Sequence, residues 1–189
     1  MTRRLLIVLA LVPLFIAACS GGLSFLVPKA AIVKAVTGQF PTVRDQGVFT
    51  LQLLNPVLDF QGSRSRLGIQ ADAVVKLRTS LGGISLPLQG SGVKDSYKGR
   101  IFLDGVLAYE AATGVFTFSD VKVRKFEVDG LPRGQLDTVT GLATTAAINS
   151  LGGLQVYKLD QSDWKGRLAK GVLRGIQVTD DGVLVKFGL

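Results

Sequence analysis

Between residues 115 and 128 the apolar side chains change sides twice. Phe116 and Phe118 share one parity, Val121 and Val123 take the other, and Phe126 and Val128 return to the first. Side chains alternate between the two faces of a strand, so a flat strand cannot bury all six. Each switch calls for a bulge or for strong coiling, and both bend the strand. A chain with this pattern predicts long, curved antiparallel strands in a sheet that wraps around something.

The neighbouring segments supply such a sheet. Leu67, Ile69, Ala71, Ala73, Val75 and Leu77 alternate with Gly68, Gln70, Asp72, Lys76 and Arg78, and only Val74 breaks the polar face. That is a half-buried strand. Residues 48–60 predict a strand before it, bent or ended around Asn55-Pro56. Ile84, Leu86 and Leu88 begin another after Gly82-Gly83, with Pro87 favouring an edge or irregular pairing. Ile101, Leu103, Leu107 and Tyr109 mark the inward face of a fourth strand, which turns at Ala111-Ala112-Thr113-Gly114.

The element to be wrapped is a helix over residues 132–151. Leu136, Val139, Ala143, Ala146 and Ala147 fall on one helical face, and Gly152-Gly153 provides the stop. Gly141, Thr140, Thr144 and Thr145 weaken its intrinsic helicity, so burial must stabilise it. A shorter helix after Pro28 draws on Ala31, Val33, Ala35 and Val36, ends near Gly38 and is stopped by Pro41. A short strand over 154–159, a short helix over 162–169 and a hairpin over 172–187, turning at Thr179-Asp180-Asp181-Gly182, complete the chain. The fold class expected is α+β: a strongly curved antiparallel sheet around one long helix, with a short N-terminal helix and a C-terminal hairpin.

The first 18 residues do not belong to that fold. Arg3 and Arg4 precede an uncharged run of 14 residues, Leu5 to Ala18. As a helix the run reaches only about 21 Å, short of the roughly 30 Å hydrocarbon core. Pro13 also argues against a straight span. A charged start, a short apolar stretch and small residues at its end make a signal peptide. Ile16-Ala17-Ala18-Cys19 then resembles the lipobox of bacterial lipoprotein precursors. That resemblance implies cleavage after Ala18, a diacylglyceryl group on the Cys19 thiol and acylation of the new amino terminus. Ser20, in place of the aspartate that retains enteric lipoproteins in the inner membrane, points to the periplasmic face of the outer membrane. The expected domains are a signal peptide at 1–18, a lipidated tether at 19–24 and a single domain at 25–189.

Without residues 1–18 the chain keeps 171 residues, enough for one domain with a core of its own. They carry 20 basic and 14 acidic side chains. In a lipid-anchored protein that balance suits anionic head groups better than nucleic acid, which is not an expected partner. The chain has no histidine, and Cys19 is its only cysteine. Imidazole acid–base chemistry, Ser-His and Cys-His pairs and His/Cys metal sites are thereby excluded. No catalytic residue, metal ligand or cofactor is expected beyond the covalent lipid on Cys19.

The order of elements carries a second resemblance. Gly175-Ile176-Gln177-Val178, Val183-Leu184-Val185-Lys186-Phe187 and Leu136-Asp137-Thr138-Val139 resemble the YceB-like lipoproteins in place and character. That family is similar in fold to the tubular lipid-binding (TULIP) superfamily. The likeness implies a groove for acyl chains between the long helix and the sheet. Leu136, Val139, Ala143, Ala146, Phe116 and Phe118 are the groove candidates, with phospholipid or fatty acid as the ligand. The alternative is a structural or assembly lipoprotein with a packed interior, whose partner is another envelope protein.

Weaker motifs weigh little. Ser119-Asp120-Val121-Lys122 and Ser162-Asp163-Trp164-Lys165 match S-x-x-K without either companion motif of the serine acyl-transferases. Gly90-Ser91-Gly92-Val93-Lys94-Asp95 lacks the last glycine of a dinucleotide fingerprint and any βαβ setting. The basic residues Lys122, Arg124, Lys125, Arg64 and Arg66 are expected on the solvated face of edge strands, which lysines protect, rather than in a lipid-docking stripe.

Overall fold

The computed structural model describes residues 24–47, 49–77, 80–81, 84–85, 96–130, 133–159 and 173–187. Cys19 and Ala18, the strand continuation at Leu86 to Leu88 and the helix expected over 162–169 lie outside the described residues. The fold is α+β, and its centre is a six-stranded antiparallel sheet that curls into a half-barrel. In chain order its strands are β2 (Thr42–Asp45), β3 (Phe49–Gln61), β4 (Arg66–Leu77), β7 (Ser96–Glu110), β8 (Val115–Val128) and β9 (Gln155–Lys158), and they are neighbours in that order. A ribbon of β5 (Ser80–Leu81) and β6 (Ile84–Ser85) falls between β4 and β7 in the chain.

The register of β7 against β8 explains the double change of face. Phe102 pairs with Lys125, but its neighbour Leu103 pairs with Val123, so Arg124 is an extra residue. Asp104 pairs with Lys122, but Val106 pairs with Ser119, which inserts a second extra residue around Asp120. Asp120 takes a positive φ of 47° there. Each insertion flips the parity, so Phe116 and Phe118, then Val121 and Val123, then Phe126 and Val128 all turn toward the core. β3 bends in the same way at Asn55-Pro56 without ending: Leu54 pairs with Asp72 and Val57 with Gln70. Asn55 holds φ at 48°, a conformation that asparagine tolerates better than most side chains. The inward parity accordingly moves from Leu51 and Leu53 to Phe60.

Between the sheet's two flanks lies α2 (Arg133–Leu151). It packs on β8 near one edge and on β2 and β3 at the other. Val139, Ala143, Ala146, Ala147 and Leu151 are buried along one side. The hydroxyl of buried Ser150 donates to Ala146 O at 2.6 Å, which satisfies it within the helix. Gly153, at φ 81°, lets the chain leave the helix. Its N–H then donates to Phe118 O and Phe118 N–H donates to Leu154 O, both at 2.9 Å, which fastens the end of α2 to β8.

A second, three-stranded antiparallel sheet has the order β1-β11-β10. It joins β1 (Ser24–Pro28) to β10 (Leu173–Thr179) and β11 (Gly182–Phe187). β1 is not expected from the sequence, which assigns Ser24 to the tether and begins structure with the helix after Pro28. Five residues with only Phe25 and Val27 on the inward side make too short a pattern to read without the partner β11. α1 (Lys29–Thr37) follows directly and buries Ile32 and Val36, one turn apart, against β9, β3 and β11. One hydrophobic cluster unites both sheets and both helices.

Gly105 tests this packing, because a Cβ there would run into the Phe118 ring across the strand pair. Gly105→Ala is expected to destabilise the fold by about 1–3 kcal/mol through overpacking. Gly141→Ala, on the exposed side of α2 with open space around it, is expected to add about 0.5–1 kcal/mol. Chemical denaturation of the two variants measures both signs.

Candidate functional site

Two regions carry site character, one inside the half-barrel and one outside it. Inside, the structure brings together five of the six groove candidates from the sequence. Val139, Ala143, Ala146, Phe116 and Phe118 all lie in the central cluster, each no more than 3 % exposed. The side chain of Leu136 lies outside the described residues, although its backbone is in α2. The small side chains of α2 let the helix sit close to β8, and these five side chains share one buried cluster. Next to this contact, an apolar crevice lined by Val27, Ile32, Leu107, Phe116, Val156, Tyr157 and Val183 is too tight for a water molecule. Tyr109 stacks on Phe116 with ring centroids 4.9 Å apart. Its buried hydroxyl has no hydrogen-bond partner among the described residues, and burial raises its pKa above the ordinary tyrosine value.

Outside, the opposite parity of four strands forms an open cleft of about 490 Å³. Leu54, Asp72, Val74, Lys98, Arg100, Glu127 and Asp129 line it, over a floor that includes Gly99. Gly99 fixes how closely β7 and β8 approach, since a Cβ there would strike the Glu127 carbonyl. Two of the carboxylates that line the cleft, Asp72 and Glu127, have charged partners. Arg100 Nε lies 3.9 Å from Asp72 Oδ1, and Asn55 Nδ2 donates to Asp72 Oδ2 at 2.9 Å. Lys125 donates a hydrogen bond to Glu127, which with the Lys125 and Arg100 charges holds that carboxyl below the ordinary glutamate pKa against a smaller desolvation effect. A wall with both signs of charge suits a polar, multiply charged surface rather than an apolar ligand.

The basic residues picked out along β8 are paired in the same manner. Arg124 Nε meets Asp104 Oδ2 at 3.0 Å, Lys122 Nζ meets Asp120 Oδ2 at 3.4 Å, and Arg66 Nη1 meets the same oxygen at 3.6 Å. Asp104 is 7 % exposed, and Gln61 Nε2 also donates to it at 3.1 Å. These contacts neutralise the stripe, in line with the solvated-face expectation. Lys122 pairs with Asp120, and the S-x-x-K match from Ser119 to Lys122 spans a bulge. Asp180 and Asp181 serve the hairpin turn: Gly62 N–H donates to Asp180 Oδ1 at 3.3 Å and Lys29 N–H to Asp181 O at 2.9 Å. The other S-x-x-K match and the glycine-rich segment 90–95 lie outside the described residues.

Among the described residues, no three His, Cys, Asp or Glu side chains converge to hold a metal ion, and no helix is long and apolar enough to cross a membrane. Sequence reasoning missed the outer cleft. Asp72, Arg100 and Glu127 are each legible as outward residues, but only the strand register sets them in one row. No protein-family model matches this chain, and neither does any curated protein.

The Glu127 carboxyl provides a check on the cleft's electrostatics. Because its folded pKa is depressed, the Lys125–Glu127 pair stabilises the fold above the ordinary glutamate value and is lost as pH falls through the folded pKa. Lys125→Ala is expected to move the Glu127 midpoint upward in a carboxyl NMR titration, and Lys34→Ala, on α1, to leave it in place.

Proposed function

We propose that this chain is an envelope lipoprotein, cut after Ala18 and held by lipid on Cys19 at the periplasmic face of the outer membrane. Its domain works as a binding module and not as a catalyst. What supports the anchoring is the leader with its Ile16-Ala17-Ala18-Cys19 ending. What supports a binding role is a chain without histidine, or any cysteine besides Cys19, together with an outer cleft lined by charges of both signs.

Of the two binding modes, docking to another envelope protein has the stronger support. The single observation that carries it is the burial of the groove candidates: Phe116, Phe118, Val139, Ala143 and Ala146 share one cluster. On this reading the cleft of Leu54, Asp72, Lys98, Arg100 and Glu127 offers the partner a surface of mixed charge. The second reading is acyl-chain carriage, as the YceB-like and tubular lipid-binding resemblances imply. It is favoured by the way α2 is held: the two backbone hydrogen bonds to Phe118 fasten its C-terminal end, so movement about Gly152-Gly153 would open the other end. The curled sheet with α2 packed between its flanks supports the tubular likeness.

Two experiments separate these statements. The full chain is expected to incorporate labelled palmitate, and Cys19→Ser to abolish incorporation and release the protein from membranes. Native mass spectrometry of the gently purified Cys19→Ser protein is expected to show an apo mass with no uptake of added phospholipid or fatty acid. Lipid bound at defined stoichiometry, and lost in a folded Ala143→Trp variant, would instead establish acyl carriage.

A further inference from the structure

We propose that the outer face of the small sheet β1–β11–β10 lies on the membrane that holds the anchor. Leu26 and Leu184 would sit at the lipid boundary, with Lys186 and Arg174 on the head groups of anionic phospholipid. This rests on lipid attachment at Cys19 and adds to it a face and an orientation.

The first support is reach. Only residues 20–23 separate Cys19 from Ser24, where β1 begins. Fully extended, the steps from Cys19 to Ser24 span at most about 18 Å. The start of β1 is therefore held close to the bilayer, whatever path the tether takes.

The second support is the composition of the face. Val27, Val178, Val183 and Val185 are buried, so the opposite parity forms the outside of the small sheet. There Ser24 pairs with Lys186 and Leu26 with Leu184, and Leu184 in turn pairs with Gln177. Leu26 is 47 % exposed and Leu184 half-buried, an adjacent apolar pair. Lys186 is exposed, and its Nζ donates to Gln177 Oε1 at 3.0 Å. An ammonium has three donors, so this bond still lets it meet a phosphate. Arg174, also exposed, stands at the bulge between Leu173 and Gly175, at the same end of the sheet. Apolar side chains beside cations are the composition that settles at a bilayer interface.

The third support is the order of charge along the strands. Lys186 and Arg174 gather at the tethered end, whereas Asp180 and Asp181, with Lys29 offsetting one of them, occupy the β10–β11 turn next to Pro28, at the other end of β1. The four steps from Ser24 to Pro28 separate the two ends by about 13 Å. An anionic surface attracts the first end more strongly than the second, so the sheet tips its basic end onto the lipid. The anchor keeps the local concentration of that surface high, so contacts too weak to recruit a free domain suffice to orient a tethered one.

The test uses the full chain in bacterial membranes, with a photo-crosslinking amino acid placed in turn at Leu26, Val43 and Asp180. All three positions are exposed, and Val43 lies on the edge strand of the large sheet. Phospholipid adducts, measured by mass spectrometry, are expected at position 26 in at least about tenfold excess over positions 43 and 180. Adding Lys186→Glu and Arg174→Glu should lower the position-26 yield several-fold while palmitate incorporation persists. Equal adducts at all three sites, or a protein adduct in place of lipid at position 26, overturns the orientation even though palmitate is incorporated. If no palmitate is incorporated, the anchoring reading fails and the orientation falls with it, so the two failures are told apart by the label.

Discussion

The pairing of β7 with β8 sets the curvature that the rest of the fold depends on. Two extra residues on β8, one at Arg124 and one around Asp120, are absorbed by a partner strand that has none. Each raises the local twist and turns the following side chains through to the other face. The inward row then runs continuously from Phe116 to Val128 only because the strand coils. Phe118 lies over Gly105 at the bend, where no larger residue fits. Without that close approach the strands would straighten, and the half-barrel would not turn far enough for α2 to meet β8 on one flank and β2 and β3 on the other.

Much of this geometry is legible in the sequence because it is written in parity. The alternation from Leu67 to Leu77 reappears as an unbroken buried row on β4. The two changes of face in residues 115–128 correspond to two register shifts, and Asn55-Pro56 to a third on β3. A period-two pattern depends on which face is buried, and that is a local property of the chain. Register between strands is not local. The row of Asp72, Arg100 and Glu127 exists only once β4, β7 and β8 are aligned, so no inspection of one strand reveals the cleft they line. β1 was illegible for a related reason, since its five residues gain their identity as a strand from β11, more than 150 positions away in the chain.

The inner region shows a different limit. Val139, Ala143, Ala146, Phe116 and Phe118 are apolar and share one side of their elements, and both facts can be read directly from the sequence. Whether such residues line a groove or fill a core depends on the distance between helix and sheet, which hydrophobic pattern does not encode. Small side chains on α2 are compatible with either outcome. They leave room if the helix is held away from the sheet, and they permit close approach if it is not. Here backbone hydrogen bonds of Gly153 and Leu154 with Phe118 tie the C-terminal end of the helix to β8, which fixes the distance at that end.

The two sheets consequently divide the molecule's tasks. The large sheet spends its inner face on α2, and its outer face on ion pairs such as Arg124 with Asp104 and Arg100 with Asp72. Such pairs on a partly exposed face contribute little net stability, but they fix which charges remain to face a partner. The small sheet buries one face against the shared core and leaves Leu26 and Leu184 on the other, beside Lys186. An apolar pair is left outside at little loss when something other than water covers it. The strand that carries Leu26 is also the first described element after Cys19, so a lipid on that cysteine, as proposed, would hold this pair near the surface where the anchor lies.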